Sequence, residues 1–163
     1  MERELLWFED IAAGQVLRSA RSIVVDGEQI IAFARQFDPQ PAHMGEESAR
    51  DSLLGVFCAS GWHTGSVTMR LIFETLHVAR GGMGAGIERL TWFRPVLAGD
   101  ALSVVIEVLA ARPSRSRPDS GVVTYRCTTL NQHGEKVQEF TTTILMPRRE
   151  PGVPDASLDG PSA

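Results

Sequence analysis

Residues 62–80 read WHTGSVTMRLIFETLHVAR, and the circumference of this segment decides the fold. It is the longest stretch with helical periodicity. Gly65, Met69, Ile72, Phe73, Leu76 and Ala79 fall on one apolar face, and Val67, Leu71 and Val78 on another. Between them Arg70, Glu74 and His77 form a narrow polar stripe, which predicts an internal ion pair or a solvated edge. A helix apolar around most of its surface belongs inside a domain, wrapped by other elements. Gly65 within it predicts a close approach by a neighbouring backbone.

Downstream the period changes to that of strands. IERLTWF (87–93), LSVVIEVLAA (102–111), VVTYRCTTL (122–130) and KVQEFTTTILM (136–146) alternate or are rich in β-branched residues, and NQHG (131–134) is a turn. Short loops between long strands predict antiparallel pairing. Upstream, VLRSARSIVV (16–25) is strand-like at both ends. Asp26 and Gln29 then make a capping-box pattern that opens a helix over Gly27–Gln36, and Pro39 stops it. EESARDS (46–52) predicts a second, short helix. The sum is an α+β domain, a curved antiparallel sheet folded around one buried helix.

The chain has 163 residues, enough for one domain with a real core, here assigned to 1–147. PRREPGVPDASLDGPSA (147–163) is poor in apolar residues, and 148–163 is expected to be a disordered tail. A net charge of −4 argues against a general nucleic-acid binder. Cys58 and Cys127 sit in apolar surroundings and read as two buried reduced thiols, with a disulfide between them the alternative that spacing leaves open. No CxxC or HExxH pattern points to a metal site. MERELLWFED is too charged for a secretory signal and no apolar run is long enough for a membrane span, so a cytoplasmic location is expected. Trp7, Trp62 and Trp92 are expected in the core or at an interface.

FDPQPAH (37–43) holds an Asp and a His five positions apart with two prolines between them. Prolines fix their own φ and extend the residue before them, so this loop is stiffer than a connection needs. Either it is a rigid turn, with Asp38 ending the first helix and His43 a loop histidine, or it fixes two proton-transfer groups. ASGWHT (59–64) follows and opens the long helix. There Ser60 and Thr64 read first as caps, and His63 as a histidine bonded to backbone.

These residues together resemble the MaoC-like dehydratases, or (R)-specific enoyl-CoA hydratases, which have the hot-dog fold. FDPQPAH resembles the D-x-N-P-x-H signature of that family, with Gln40 where Asn is usual. Gly61 falls at the family's glycine at the start of the buried helix, FRPVLAGD (93–100) resembles its strand-turn, and the loop RPSRSRPDSG (112–121) fits the same subfamily. The resemblance implies interconversion of trans-2-enoyl and (R)-3-hydroxyacyl thioesters of coenzyme A or acyl carrier protein, with Asp38 and His43 as acid and base on a water. It implies Gly61 as the oxyanion donor, with Ser60, Gln40 and His63 at the substrate. No cofactor is implied beyond the carrier of the acyl group, and a homodimer or dimer-based assembly is. Arg112, Arg115 and Arg117 read as a solvated basic loop or as ligands of carrier phosphates. One departure stands out: Gly45 occupies a position where the family often has Asp. A hot-dog thioesterase and a non-catalytic acyl-thioester-binding subunit are the competing readings, because a fold alone does not decide function.

Overall fold

The structure, a computed structural model, describes residues 4–149. Its helices are α1 (Gly27–Phe37), α2 (Glu46–Arg50) and α3 (Gly61–Leu76), with single 3-10 turns at Phe8–Asp10 and Pro41–His43. Its strands are β1 (Val16–Arg18), β2 (Ile23–Val24), β3 (Met83–Trp92), β4 (Ala101–Pro113), β5 (Ser120–Leu130) and β6 (Lys136–Pro147). They form one antiparallel sheet in the order β1-β4-β5-β6-β3, with β2 also on β4.

Alternation sets the inner face of the sheet. Leu102, Val104, Ile106 and Val108 of β4 point inward beside Val123, Tyr125 and Cys127 of β5. The register pairs Ile106 with Cys127 and Cys127 with Phe140, so inward residues of three strands form continuous rows. Leu71, Ile72 and Leu76 of α3 complete this core. Each fully buried aliphatic side chain contributes about 1.5–3 kcal/mol.

The helix over 27–36 is present with one more residue, and Asp26 caps it by accepting from the Gln29 amide at 2.8 Å. α3 departs from expectation in three ways. It stops at Leu76 rather than 80, because His77 turns left-handed (φ 38°) and the following residues are taken up by the N-terminal segment: the Leu6 amide donates to His77 O and the Ala79 amide to Leu6 O.

Second, α3 is covered on one side only. Met69 and Phe73, expected inside, are 52% and 58% exposed, while Thr64 and Thr68 are buried. Thr68 can face the sheet because its hydroxyl pairs with that of Thr129 (2.9 Å) and accepts from Gln138 Nε2 (3.3 Å), satisfying groups that would otherwise be costly to bury. Third, Gly65 admits no forced contact, since a Cβ there would meet only Gln138 Oε1 at 3.9 Å. The polar stripe is an ion pair: Arg21 and Arg70 both bind Glu74 and hold its carboxyl down at about 2.

β3 is the edge strand at one end of the sheet, almost wholly exposed, and pairs only with β6. Its free edge is a ready template for another strand. Both cysteines are free and buried, and burial pushes the Cys127 thiol up to about 12. Arg148 binds Glu9 and Arg149 binds Asp10, so the chain is tied back at these two positions of the expected tail. Residues 150–163 of that tail lie outside the described residues.

Candidate active site

The loop after α1 is built by its own backbone bonds. Asp38 ends α1 with its amide on Ala34 O, its carbonyl accepts from the Gln40 amide, and Gln40 O accepts from the His43 amide. With two prolines fixing φ between them, the loop closes into the Pro41–His43 turn and brings Asp38 Oδ2 to 3.6 Å from His43 Nε2. That gap is too long for a direct hydrogen bond and leaves both atoms available to a third group.

The segment before α3 supplies the next partner. The Cys58 amide donates to Ala42 O, and the Ala59 amide to Val96 O, so this strand-like piece is held between the loop and residues 96–97. Cys58 O lies 2.8 Å from His43 Nδ1. A carbonyl oxygen only accepts, so Nδ1 carries the hydrogen and the neutral ring has a bare lone pair on Nε2. This backbone carbonyl was not legible as a functional group, because Cys58 reads from sequence only as a buried thiol.

Ser60 has two roles at once. It caps α3 by accepting from the Trp62 amide at 3.2 Å, and its hydroxyl donates to Asp38 Oδ2 at 2.6 Å. Gln40 Nε2 donates to Asp38 Oδ1 at 2.8 Å. The Ser60 bond, then that of Gln40 and the nearby His43, hold the Asp38 carboxyl below its ordinary value against the opposing effect of burial. Asp38 is therefore a carboxylate at neutral pH.

Gly61 is the first residue of α3, and its amide finds no acceptor within the described residues, as expected for an unpaired first-turn N–H. The reason for glycine here is the indole of Trp92: a Cβ at 61 would lie 2.6 Å from Trp92 Cε2. Trp92 Nε1 donates to Gly61 O at 3.1 Å and to Gln138 Oε1 at 2.8 Å, and Trp62 meets the indole edge-on. No motif signalled this Trp92 clasp, although Trp92 stands next to the FRPVLAGD strand-turn.

Asp38, Gln40, His43, Ser60, Gly61 and Trp92 line one cleft of about 470 Å³, together with Arg94, which pairs with Glu135. His63, expected at the substrate or on backbone, does neither. It is stacked on Phe33 with 4.9 Å between ring centres, does not line the cleft, and leaves Nδ1 without a partner. A helix places its third residue a half-turn away from its first, which turns His63 toward α1 instead. Gly45 has φ +128°, a conformation that side chains rarely adopt, and it stands at the N-cap of α2; an Asp at this position would be strained. Among the described residues no cluster of three or more His, Cys, Asp or Glu is arranged to hold a metal ion.

A curved antiparallel sheet carrying one long helix, with a carboxylate and an imidazole facing a cleft at that helix's start, defines a hot-dog protein of the dehydratase type. The family described as MaoC like domain matches residues 10–131, and the chain belongs to that family. It is similar in structure to a MaoC-like dehydratase from Rhodospirillum rubrum, with a TM-score of 0.83 and 49% identity over 89% of this chain and 99% of that one. In sequence it is 31% identical to the uncharacterized protein YdeM of Bacillus subtilis, over 86% of this chain and 98% of that protein. It is 35% identical to a mesaconyl-CoA hydratase of Haloarcula marismortui over 79% of this chain, a match that spans 31% of that longer protein. No helix among the described residues is long and apolar enough to cross a membrane.

Proposed function

We propose that the protein adds water to the C2–C3 double bond of trans-2-enoyl thioesters, and removes it from (R)-3-hydroxyacyl thioesters, in the cleft at the start of α3. The observation that carries this reading is the bare Nε2 of His43, fixed by the Cys58 carbonyl and set 3.6 Å from an ionised Asp38. Family membership and the mesaconyl-CoA hydratase relative support it.

A water held between the two groups gives one proton to His43 Nε2 as its oxygen bonds to C3. The displaced π pair moves to the thioester oxygen, where the Gly61 amide and the α3 dipole stabilise the enolate. The imidazolium then returns the proton to C2 and the carbonyl re-forms, so one water is added and nothing else is consumed. Both new bonds form on one face of the substrate. Asp38, a weak base because its pKa is held low, orients the water and stabilises the imidazolium rather than carrying the proton. An oxyanion donor of this kind contributes about 3–4 kcal/mol to the transition state.

The assembly is proposed to be a dimer joined through the free edge of β3, which covers exposed Met69, Phe73, Met83 and Ile87. Light scattering showing only monomer at micromolar concentration would remove this part of the reading. The activity is tested by following loss of the conjugated thioester absorbance of crotonyl-CoA and longer enoyl-CoAs. Turnover that Asp38→Asn and His43→Ala both abolish is expected. Release of free thiol from saturated acyl-CoA without hydration would instead make it a thioesterase. Acyl-CoA binding with no chemistry would make it a binding subunit.

A further inference from the structure

Gln138 is wholly buried on the inner face of β6, in a row with Phe140, Thr142, Ile144 and Met146. An aliphatic side chain would fill this place without burying a polar group, so the amide is explained only by the bonds it makes. An indole N–H only donates, which requires the amide oxygen to face Trp92: Oε1 accepts from Trp92 Nε1 at 2.8 Å. Nε2 is left to donate to Thr68 Oγ1 at 3.3 Å, and Thr68 passes its own hydrogen to Thr129 Oγ1 at 2.9 Å. The bonds run one way and hold the amide in a single orientation. The indole hydrogen is shared with Gly61 O at 3.1 Å, the longer of its two bonds. Gln138 is thus the nearer anchor of the ring.

Position 61 needs this hold, because glycine lacks the Cβ that narrows φ and ψ elsewhere in a helix. The peptide that carries the Gly61 amide is fixed by Ser60 O, which accepts from the Thr64 amide at 3.0 Å and from its hydroxyl at 3.3 Å. The next peptide has its carbonyl on the indole. The oxyanion amide therefore sits between two anchored carbonyls, and the second anchor is the ring that Gln138 holds.

β3 is bent to make this contact. Its register against β6 slips between Glu88 and Thr91, so that Arg89 and Leu90 together oppose Phe140. Without the extra residue Thr91 would face Gln138, and Trp92 would point to the outer face of the sheet. Arg89 takes φ +55° at the bulge, a conformation that a residue with a side chain adopts at a cost.

We propose that Gln138 is a positioning residue of the cleft: through Trp92 it holds the first turn of α3 so that the Gly61 amide meets the thioester oxygen. This deepens the hydratase reading and rests on it. Gln138 does not itself line the cleft.

The oxyanion forms only in the transition state, so a loosened amide lowers kcat rather than raising KM. Gln138→Met fills the same space without an acceptor. With crotonyl-CoA it should lower kcat about tenfold or more and leave KM within about threefold. In a Trp92→Phe background the same substitution should change kcat by less than about twofold, because the ring through which it acts is gone. Equal losses of kcat in both backgrounds, no loss in either, or a change in KM alone would overturn the proposal. Amide NMR spectra read the same cycle without turnover. Gln138→Met should shift the Gly61 amide signal and speed solvent exchange of the Trp92 indole proton; an unmoved Gly61 signal overturns the proposal. If Gln138→Met does not fold, Thr68→Val, which strips Gln138 of its other bond, carries the same comparisons. Absence of any hydration by the wild type would refute the hydratase reading. A Gly61 signal that then moves with Gln138→Met only when Trp92 is present would leave the positioning of that amide standing.

Discussion

His43 and His63 are each 7% exposed and lie on either side of the first turn of α3, yet they are set up for opposite behaviour. His43 has Nδ1 fixed on a carbonyl and Nε2 open to a carboxylate-lined cleft. His63 lies against Phe33 with an unpaired Nδ1, and burial moves its pKa below the ordinary value, with Asp26 opposing weakly. The contrast shows that burial alone does not orient a histidine. A hydrogen bond at one nitrogen, which fixes the lone pair of the other, does.

The largest test of the contrast is to remove each ring. His43→Ala should lower kcat/KM for an enoyl thioester by about 10²–10⁴, while His63→Phe should leave it within a few-fold. Equal losses from the two variants would dissolve the distinction. Next in size is Gly61→Ala, which pushes a methyl into the Trp92 ring. It should cost about 1–3 kcal/mol of stability by chemical denaturation and lower kcat, and Trp92→Ala should relieve most of the stability loss in the double variant.

The third prediction concerns pH. Because the folded-state pKa of His63 is lowered, the unfolded chain binds more protons at acidic pH. Its contribution to stability is complete above the unfolded value near 6.5 and is lost progressively as pH falls below it. His63→Phe should flatten that acid loss and stabilise the protein by about 1 kcal/mol at pH 7, since it removes a buried polar atom with no partner. A melting curve series from pH 8 to about pH 5 reads this directly. The smallest effect belongs to Ser60→Ala. It removes the main bond that lowers the Asp38 pKa, so the acid limb of the kcat/KM profile should move upward, with about 1 kcal/mol lost from the α3 cap.

The four long strands and the α1 cap were legible because alternation and capping are local properties of the chain. The approach of Asp38 to His43 was legible for the same reason: the prolines that bring them together lie between them. What was hidden depended on distant partners. Thr68 looks like a surface residue until Thr129, 61 positions away, meets it, and so the buried face of α3 was misjudged. The Cys58 carbonyl was invisible for another reason, since every residue has one and no side chain advertises its use. Glycine at 61 was legible as a position but not as a cause, because the indole that requires it comes from β3, 31 residues on.

The Trp92 clasp has a practical consequence. Its indole and that of Trp62 touch edge to face at the cleft wall, whereas Trp7 sits under Arg80 at the far end of β3. Two of the three indoles in the chain therefore face any occupant of the cleft, and the third supplies a steady background. Intrinsic emission becomes a label-free gauge of site occupancy, and Trp92→Phe should dim that signal while Trp7→Phe spares it.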